Sequence, residues 1–120
     1  MLSLYYKQLK QINKMKDSTQ YAFKGGQLEP KRRFAVTAVK KMVKDLNFNA
    51  ELVKSMLDSG VLVKLDSVKP ERKTRYHLSP DDLIVSENFV LYAVTGEWSK
   101  ESTEKLAKVL TDMKYKVIRG

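Results

Sequence analysis

The chain contains no cysteine, and none of its apolar runs approaches the roughly 20 residues that a membrane-spanning helix needs. Without cysteine, neither disulfide bonds nor thiolate metal ligands can form. The amino terminus mixes charges among its apolar residues and has no small-residue cleavage site, so no signal peptide is predicted. We therefore expect a cytoplasmic protein of a reducing compartment, without a membrane partner.

Motifs for catalysis and for cofactor binding are also missing. His77 is the only histidine, and its place in a predicted strand favours a surface residue over a catalytic base. No glycine-rich nucleotide loop is present. Asp81 and Asp82 follow Ser79-Pro80, a pattern typical of a helix start, so capping explains both carboxylates better than an acid–base pair does. We predict that the protein is not an enzyme and has no cofactor and no metal site.

Positive charge is abundant and unevenly distributed. The chain has 23 Lys and Arg against 14 Asp and Glu, a net charge of +9. Residues 1–79 hold 17 basic and 7 acidic residues, whereas residues 80–120 hold 6 basic and 7 acidic residues. This asymmetry favours a polyanionic partner for the first part. The alternative interpretation is a lysine-rich surface that serves only solubility.

Three segments of the first part have apolar residues at helical spacing. The segment 30–46 opens with Pro30, a residue favoured at the first position of a helix. The segment 49–59 begins at an asparagine that can cap a helix and ends before Gly60, which suits the left-handed position after a helix. The segment 2–16 is interpreted as a core helix, with the seam of a homodimer as the alternative. Its apolar side is formed by Leu2, Tyr5, Leu9, Ile12 and Met15.

Alternating apolar residues predict two strands after these helices. Residues 61–65 and 74–78 are expected to pair as a hairpin over 61–78, with Val61 and Val63 facing the same core as Tyr76 and Leu78. The loop between them is basic.

The flanking regions carry weaker signals. A short strand is predicted at residues 21–23. Residues 89–94 fit either a buried strand or a short helix. A helix capped by Ser99 and a terminal strand at 115–118 are predicted to follow.

The order of these segments resembles the winged helix-turn-helix family over residues 30–79. The resemblance is carried by PKRRFAVTAVKKMVKDL, a tight turn, NAELVKSMLDSG, VLVKL, a basic loop and TRYHLS. It implies an α+β fold: a winged helix-turn-helix of three helices and a β-hairpin wing at residues 1–79. Residues 80–120 would form a helix-containing extension packed on it.

In that family, the helix before the hairpin usually enters the major groove, and the wing contacts the backbone or the minor groove. By position, the resemblance assigns the groove helix to residues 49–59 and the wing to residues 66–73. The outward face of this helix carries Glu51 and Asp58 against Lys54 alone, and carboxylates repel phosphates. We therefore expect binding mainly through the preceding helix and the wing. The candidate nucleic-acid-binding residues are Lys31, Arg32, Arg33, Lys40, Lys41, Lys44, Asn49, Lys54, Ser55, Lys69, Arg72, Lys73 and Arg75.

The sequence thus predicts a protein that binds double-stranded DNA, in transcriptional regulation. The alternative is a small adaptor that docks on a larger nucleic-acid machine, such as a polymerase or replication complex, through the extension or the mixed-charge helix. Binding of RNA or of single-stranded DNA is the third hypothesis, ranked below these two.

Overall fold

The computed structural model describes residues 18–120 and shows a mixed α+β fold with two antiparallel sheets. Three short 3-10 segments lie at Leu65–Ser67, Pro70–Arg75 and Pro80–Asp82. The predicted helix at 2–16, and with it the dimer seam, lies outside the described residues. The elements in chain order are β1 (Gln20–Phe23), β2 (Glu29–Pro30), α1 (Lys31–Asp45), α2 (Ala50–Asp58), β3 (Leu62–Lys64), β4 (Tyr76–His77), β5 (Ile84–Val85), β6 (Leu91–Thr95), α3 (Lys100–Asp112) and β7 (Val117–Arg119).

α1 is the helix on which the core is built. It packs against β1, β2, β6 and α3, so it contacts both sheets. Full burial of a large apolar side chain stabilises a fold by about 1.5–3 kcal/mol, so this one face supplies a large share of the hydrophobic stabilisation. The predicted helix is confirmed, except that Pro30 occupies the position before the first helical residue. The buried residues of α1 are Phe34, Ala35, Val36, Ala38, Val39, Met42 and Val43.

The first sheet has the strand order β2-β1-β7, so the last strand of the chain lies beside the first described one. Tyr21 pairs with Arg119 in this sheet. The Tyr21 hydroxyl donates to Glu104 of α3 over 2.6 Å, and the Arg119 guanidinium donates to the same carboxylate over 2.8–3.1 Å. The short strand predicted at 21–23 is confirmed, and the terminal strand begins two residues later than predicted.

The second sheet has β6 at its centre, with β3 on one side and β4 and β5 on the other. The predicted hairpin is therefore wrong in its pairing, because residues of β3 and β4 pair with β6 and not with each other. β6 carries the fully buried residues Ala93 and Val94, and such a strand is best placed where both edges are paired. The two 3-10 segments between β3 and β4 also leave no tight hairpin turn. Residues 89–94 fitted either a strand or a short helix in sequence, and in the structure most of them belong to strand β6.

The faces of β3 and β4 are the reverse of those predicted. Leu62 is only 1% exposed and lies opposite Val94, so within β3 it faces the core in place of Val63. Val61, just before β3, is partly buried against the core as predicted. Because side chains alternate along a strand, a shift of one residue reverses every side chain. His77 also lies opposite Val94, and its side chain is 12% exposed. The prediction of a surface histidine is wrong, and burial, with the nearby charge of Arg32, lowers the pKa of His77.

Local capping follows the sequence closely at two helices. The Asn49 side chain accepts hydrogen bonds from the backbone N–H groups of Glu51 and Leu52 at the start of α2. Ser99 forms a reciprocal capping box with Ser102 at the start of α3. Residues 80–120 supply β5, β6 and β7, so both sheets combine strands from the two sides of residue 79.

The helix start predicted at Ser79-Pro80 is a single 3-10 turn without a side-chain cap. Asp82 does not cap it, and this part of the prediction is wrong. Its carboxylate instead accepts two hydrogen bonds from Arg33, over 2.5 and 3.1 Å. The Asp82 side chain is 11% exposed, and the bonds from Arg33 lower its pKa. A buried carboxylate gains more from a bidentate guanidinium than from a cap that lies in solvent.

We expect Asp82→Asn to lower the free energy of unfolding by about 1.5–3 kcal/mol, the range for hydrogen bonds to charged groups. Chemical denaturation at neutral pH measures the change. Asp81→Asn is the matched control, since the Asp81 side chain is exposed. Equal stability of the two variants would contradict the structural role of Asp82.

Glu104 generates a prediction about acid stability. Hydrogen bonds from Arg119 and Tyr21 lower its pKa from 4.5 to about 2. Because the folded pKa is depressed, this stabilisation is fully present above pH 4.5 and is lost as the pH falls to about 2. Glu104→Gln should therefore reduce the pH dependence of the denaturation midpoint in this window. Glu101→Gln, at an exposed helix position, should leave it as in the parent.

Candidate nucleic-acid interface

The first turn of α1 breaks the usual charge preference of helices. It carries Lys31, Arg32 and Arg33, it contains no acidic residue, and Pro30 provides no side-chain cap. The positive end of a helix dipole favours acids, and each misplaced charge costs about 0.3–1 kcal/mol. A sequence selected for stability alone would have an acid here. Such a local conflict is typical of functional positions.

Arg32 joins this turn to the basic segment that follows β3. Its Nη2 donates to the Thr74 carbonyl oxygen over 3.1 Å. The backbone N–H of Gly96 donates to the neighbouring Arg75 carbonyl oxygen over 2.7 Å. The start of α1 and the end of the 3-10 segment 70–75 therefore meet at the end of β6. We call the joint feature the cationic surface, formed by Lys31, Arg32, Lys69, Arg72, Lys73 and Arg75.

The predicted wing is part of this surface, although it is not a hairpin tip. Side chains three residues apart eclipse in a 3-10 helix, with about 6 Å of rise between them. Arg72 and Arg75 are spaced in this way, Lys69 immediately precedes the segment, and all three are exposed. Arg75 pairs with Glu97 over 3.6 Å, but both side chains are more than half exposed, so the pair is worth at most about 1 kcal/mol. The row therefore keeps most of its positive potential.

The remaining basic residues of α1 have other contacts. Arg33 is committed to Asp82 and also lies 3.7 Å from Glu29. Lys40 donates to the backbone oxygen of Asp81. Arg33 and Lys40 therefore contact the segment after β4, and these contacts use part of the positive charge of the predicted basic face.

Two lysines at the far end of α1 lie apart from the cationic surface. Lys41 pairs with Asp45 over 3.6 Å and lies over the rings of Phe23 and Tyr115. Lys44 is exposed, and no ion pair to it occurs within residues 18–120.

The candidate groove helix α2 shows the mixed charge that the sequence predicts. Glu51, Lys54, Ser55 and Asp58 line one open surface of this helix. The Asn49 side-chain oxygen already accepts hydrogen bonds from two backbone amides. Its role in the structure is therefore to cap the helix. Direct reading of bases by α2 would have to use Lys54 and Ser55 beside two carboxylates.

The structure adds site residues that the sequence analysis missed. A Cβ atom at Gly96 would overlap the Arg32 guanidinium, so the absence of a side chain there lets Arg32 reach Thr74. Glu97 and Asp82 also shape the local charge. Sequence offers no signal for these contacts, because each joins segments more than 20 residues apart.

Residues 18–120 contain no group of three His, Asp or Glu side chains able to hold a metal ion. None of the helices in that range is long and apolar enough to cross a membrane. No protein-family model, curated protein or solved structure matches this chain.

Gly96→Ala tests the placement of Arg32. The new methyl group should displace the guanidinium from Thr74 with little loss of stability, because the end of a flexible side chain moves at low cost. We expect the free energy of unfolding to fall by no more than about 0.5 kcal/mol. Duplex affinity should fall severalfold in a fluorescence-anisotropy titration.

Arg32→Gln supplies the matched background for this test. Adding Gly96→Ala to Arg32→Gln should change affinity no further, because both changes act on one side chain. An additive loss in the double variant would show that Gly96 acts through something other than Arg32.

Proposed function

We propose that this protein binds nucleic acid, with double-stranded DNA as the preferred ligand, and that the cationic surface holds the phosphate backbone. The observation that carries the proposal is the first turn of α1, which has three basic residues, no acid and no side-chain cap, and in which Arg33 is the residue paired with Asp82. A bound polyanion compensates for this conflict, because lysine and arginine side chains and helix N-termini are common phosphate contacts. The hydrogen bond from Arg32 to the Thr74 carbonyl oxygen connects this turn to the basic residues of the segment 69–75.

We further infer that α1 and α2 act as a helix-turn-helix in a variant of the winged-helix arrangement. Asn47 and Phe48 both have positive φ, 51° and 55°, and make the tight turn between the two helices. β3 follows α2 and pairs with β6, which would take the place of the return strand in the wing. The biological role we propose is transcriptional regulation.

The charge of α2 favours sequence-tolerant binding. Glu51 and Asp58 on its open surface repel phosphates, while the exposed cation row of residues 69–75 attracts them. Affinity should therefore depend mainly on phosphate contacts, which makes it steeply dependent on salt.

A specific observation also favours the adaptor hypothesis as a second candidate. Phe89 is 86% exposed and has a φ of 61°, a conformation that is rare for a bulky residue. Hydrogen bonds from the backbone N–H groups of Phe89 and Val90 to Ser86 hold this turn between β5 and β6. An aromatic side chain presented on a braced turn is typical of an anchor for a protein partner.

The replacement of Lys69, Arg72 and Lys73 by Gln tests the main proposal. Removal of one phosphate contact should reduce the slope of log affinity against log salt by about 0.9, so removal of three should reduce it by about 2.7. Fluorescence anisotropy with duplex DNA, single-stranded DNA and RNA between about 50 and 200 mM salt measures the slope. The duplex should bind most tightly.

Two controls make this experiment decisive. Replacing exposed Lys64, Lys100 and Lys108 by Gln removes the same charge elsewhere and should change the slope much less. Phe89→Ser should leave duplex binding unchanged. A parent protein that binds no nucleic acid at low salt, but binds a defined protein partner through Phe89, would replace the main proposal with the adaptor hypothesis.

A further inference from the structure

A groove of about 510 Å³ lies between the last turns of α1 and strand β5, and none of the residues of the cationic surface lines it. Its volume is within the roughly 300–1,000 Å³ that is typical of ligand pockets. Lysine side chains of α1 line the same groove, so positive charge stands beside apolar surface. The apolar lining is formed by Val43, Phe48, Leu83, Ile84 and Val85.

Strand β5 has an open edge, since within residues 18–120 it pairs with β6 alone. The Ser86 N–H donates to the Val90 oxygen, and hydrogen-bonded pairs alternate with non-hydrogen-bonded pairs along an antiparallel ladder. Ile84 and Tyr92 are therefore the next hydrogen-bonded pair, and the N–H and C=O groups of Val85 point away from β6. Val85 is 49% exposed and lines the groove, so this open edge borders it. Such an edge can pair with an added strand.

Contacts at the segment before β5 fix the two walls of the groove relative to each other. Arg33 of α1 donates two hydrogen bonds to the Asp82 carboxylate, over 2.5 and 3.1 Å. Lys40, one turn before the end of α1, donates to the backbone oxygen of Asp81. Because both contacts join α1 to the residues that lead into β5, the groove is preformed, and a ligand would bind with little reorganisation of the protein.

Positive charge dominates the wall of the groove that α1 provides. Among the described residues that line it, Lys40, Lys41 and Lys44 are basic and Asp45 is the single acid. Asp45 lies 3.6 Å from Lys41 and already accepts a hydrogen bond from the Tyr115 hydroxyl over 2.6 Å. One carboxylate cannot neutralise three ammonium groups, so the groove favours a ligand with acidic groups.

We propose that this groove binds an extended acidic peptide segment of a partner protein, which pairs with the open edge of β5 and places carboxylates beside the lysines of α1. A peptide strand offers both a donor and an acceptor to the backbone groups of Val85, and its apolar side chains can be buried against the apolar lining. A nucleic-acid backbone offers no donor to the Val85 oxygen and gains nothing from apolar walls. The site does not depend on nucleic-acid binding by the cationic surface.

Selection from a displayed library of random peptides of about 10 residues, the upper range of strand length, tests the proposal on the full chain. We expect the enriched peptides to contain Asp or Glu among apolar residues, because the groove is both apolar and lysine-lined. One enriched peptide, synthesised with a fluorescent label, then gives an affinity by fluorescence anisotropy. Enrichment of no peptide, or of basic peptides, would overturn the proposal.

Lys44→Glu tests the charge of the α1 wall with this labelled peptide. The affinity should fall about tenfold or more, because a carboxylate of the protein then faces the carboxylates of the peptide. Lys108→Glu is the matched control, since it reverses one exposed lysine on α3. It should leave the affinity near that of the parent. Equal losses in the two variants would show that net charge, and not the groove, attracts the peptide.

N-methylation of the selected peptide tests strand pairing without any change in the protein. The N–H groups of alternate residues in an extended chain point to the same edge, so methylation at odd or at even positions blocks opposite edges of the peptide. One methylated form should lose binding and the other should keep it. Two forms that bind equally well or equally poorly would overturn pairing with β5.

Val85→Pro removes the outward N–H from the protein itself, a change that edge strands tolerate. The peptide affinity should fall in this variant, with thermal unfolding as the check that it is folded. Competition with unlabelled single-stranded DNA separates the two classes of ligand. DNA that displaced the peptide, and whose binding was weakened by Lys44→Glu but not by Val85→Pro, would reassign the groove to a nucleic-acid backbone and overturn the peptide proposal.

Discussion

The apolar face of α1 packs against strands of both sheets and against α3, and the other elements take their positions from this contact. Because seven of its 15 residues are buried, the orientation of the helix is determined and its polar residues have few alternative directions. Its first turn is thereby presented beside Thr74 and its last turn beside Tyr115. Burial of one face thus decides where the charges of the opposite face lie.

Two acids of this basic chain make contacts that hold distant parts of the fold together. Asp82 binds Arg33, Glu104 binds Arg119 and Tyr21, and all three contacts join segments that are distant in sequence. At the start of α1, Arg33 has acidic partners, whereas Arg32 donates to a backbone oxygen. Within residues 18–120, exposed basic residues remain at the start of α1 and in the segment 69–75, which together form the cationic surface.

Local chemistry was readable from the residues. The helices at 30–46 and 49–59, the Ser99 cap and the basic character of residues 69–75 depend on neighbours within a few positions, and the structure places helices and cap as predicted. The residues also indicated that the outer face of α2 has mixed charge. Of the candidate site, the exposed cations were predictable one by one, since long charged side chains stay in solvent.

Residue patterns alone were thus enough to predict α1, α2 and α3, the caps of α2 and α3, and the strongly basic character of the chain. Folding was needed to place β6 between β3 and β4, to turn Leu62 and His77 inward, and to bring Arg33 to Asp82. Strand order and register depend on pairing between distant segments, and a period-two pattern of Val61-Leu62-Val63 fits either face.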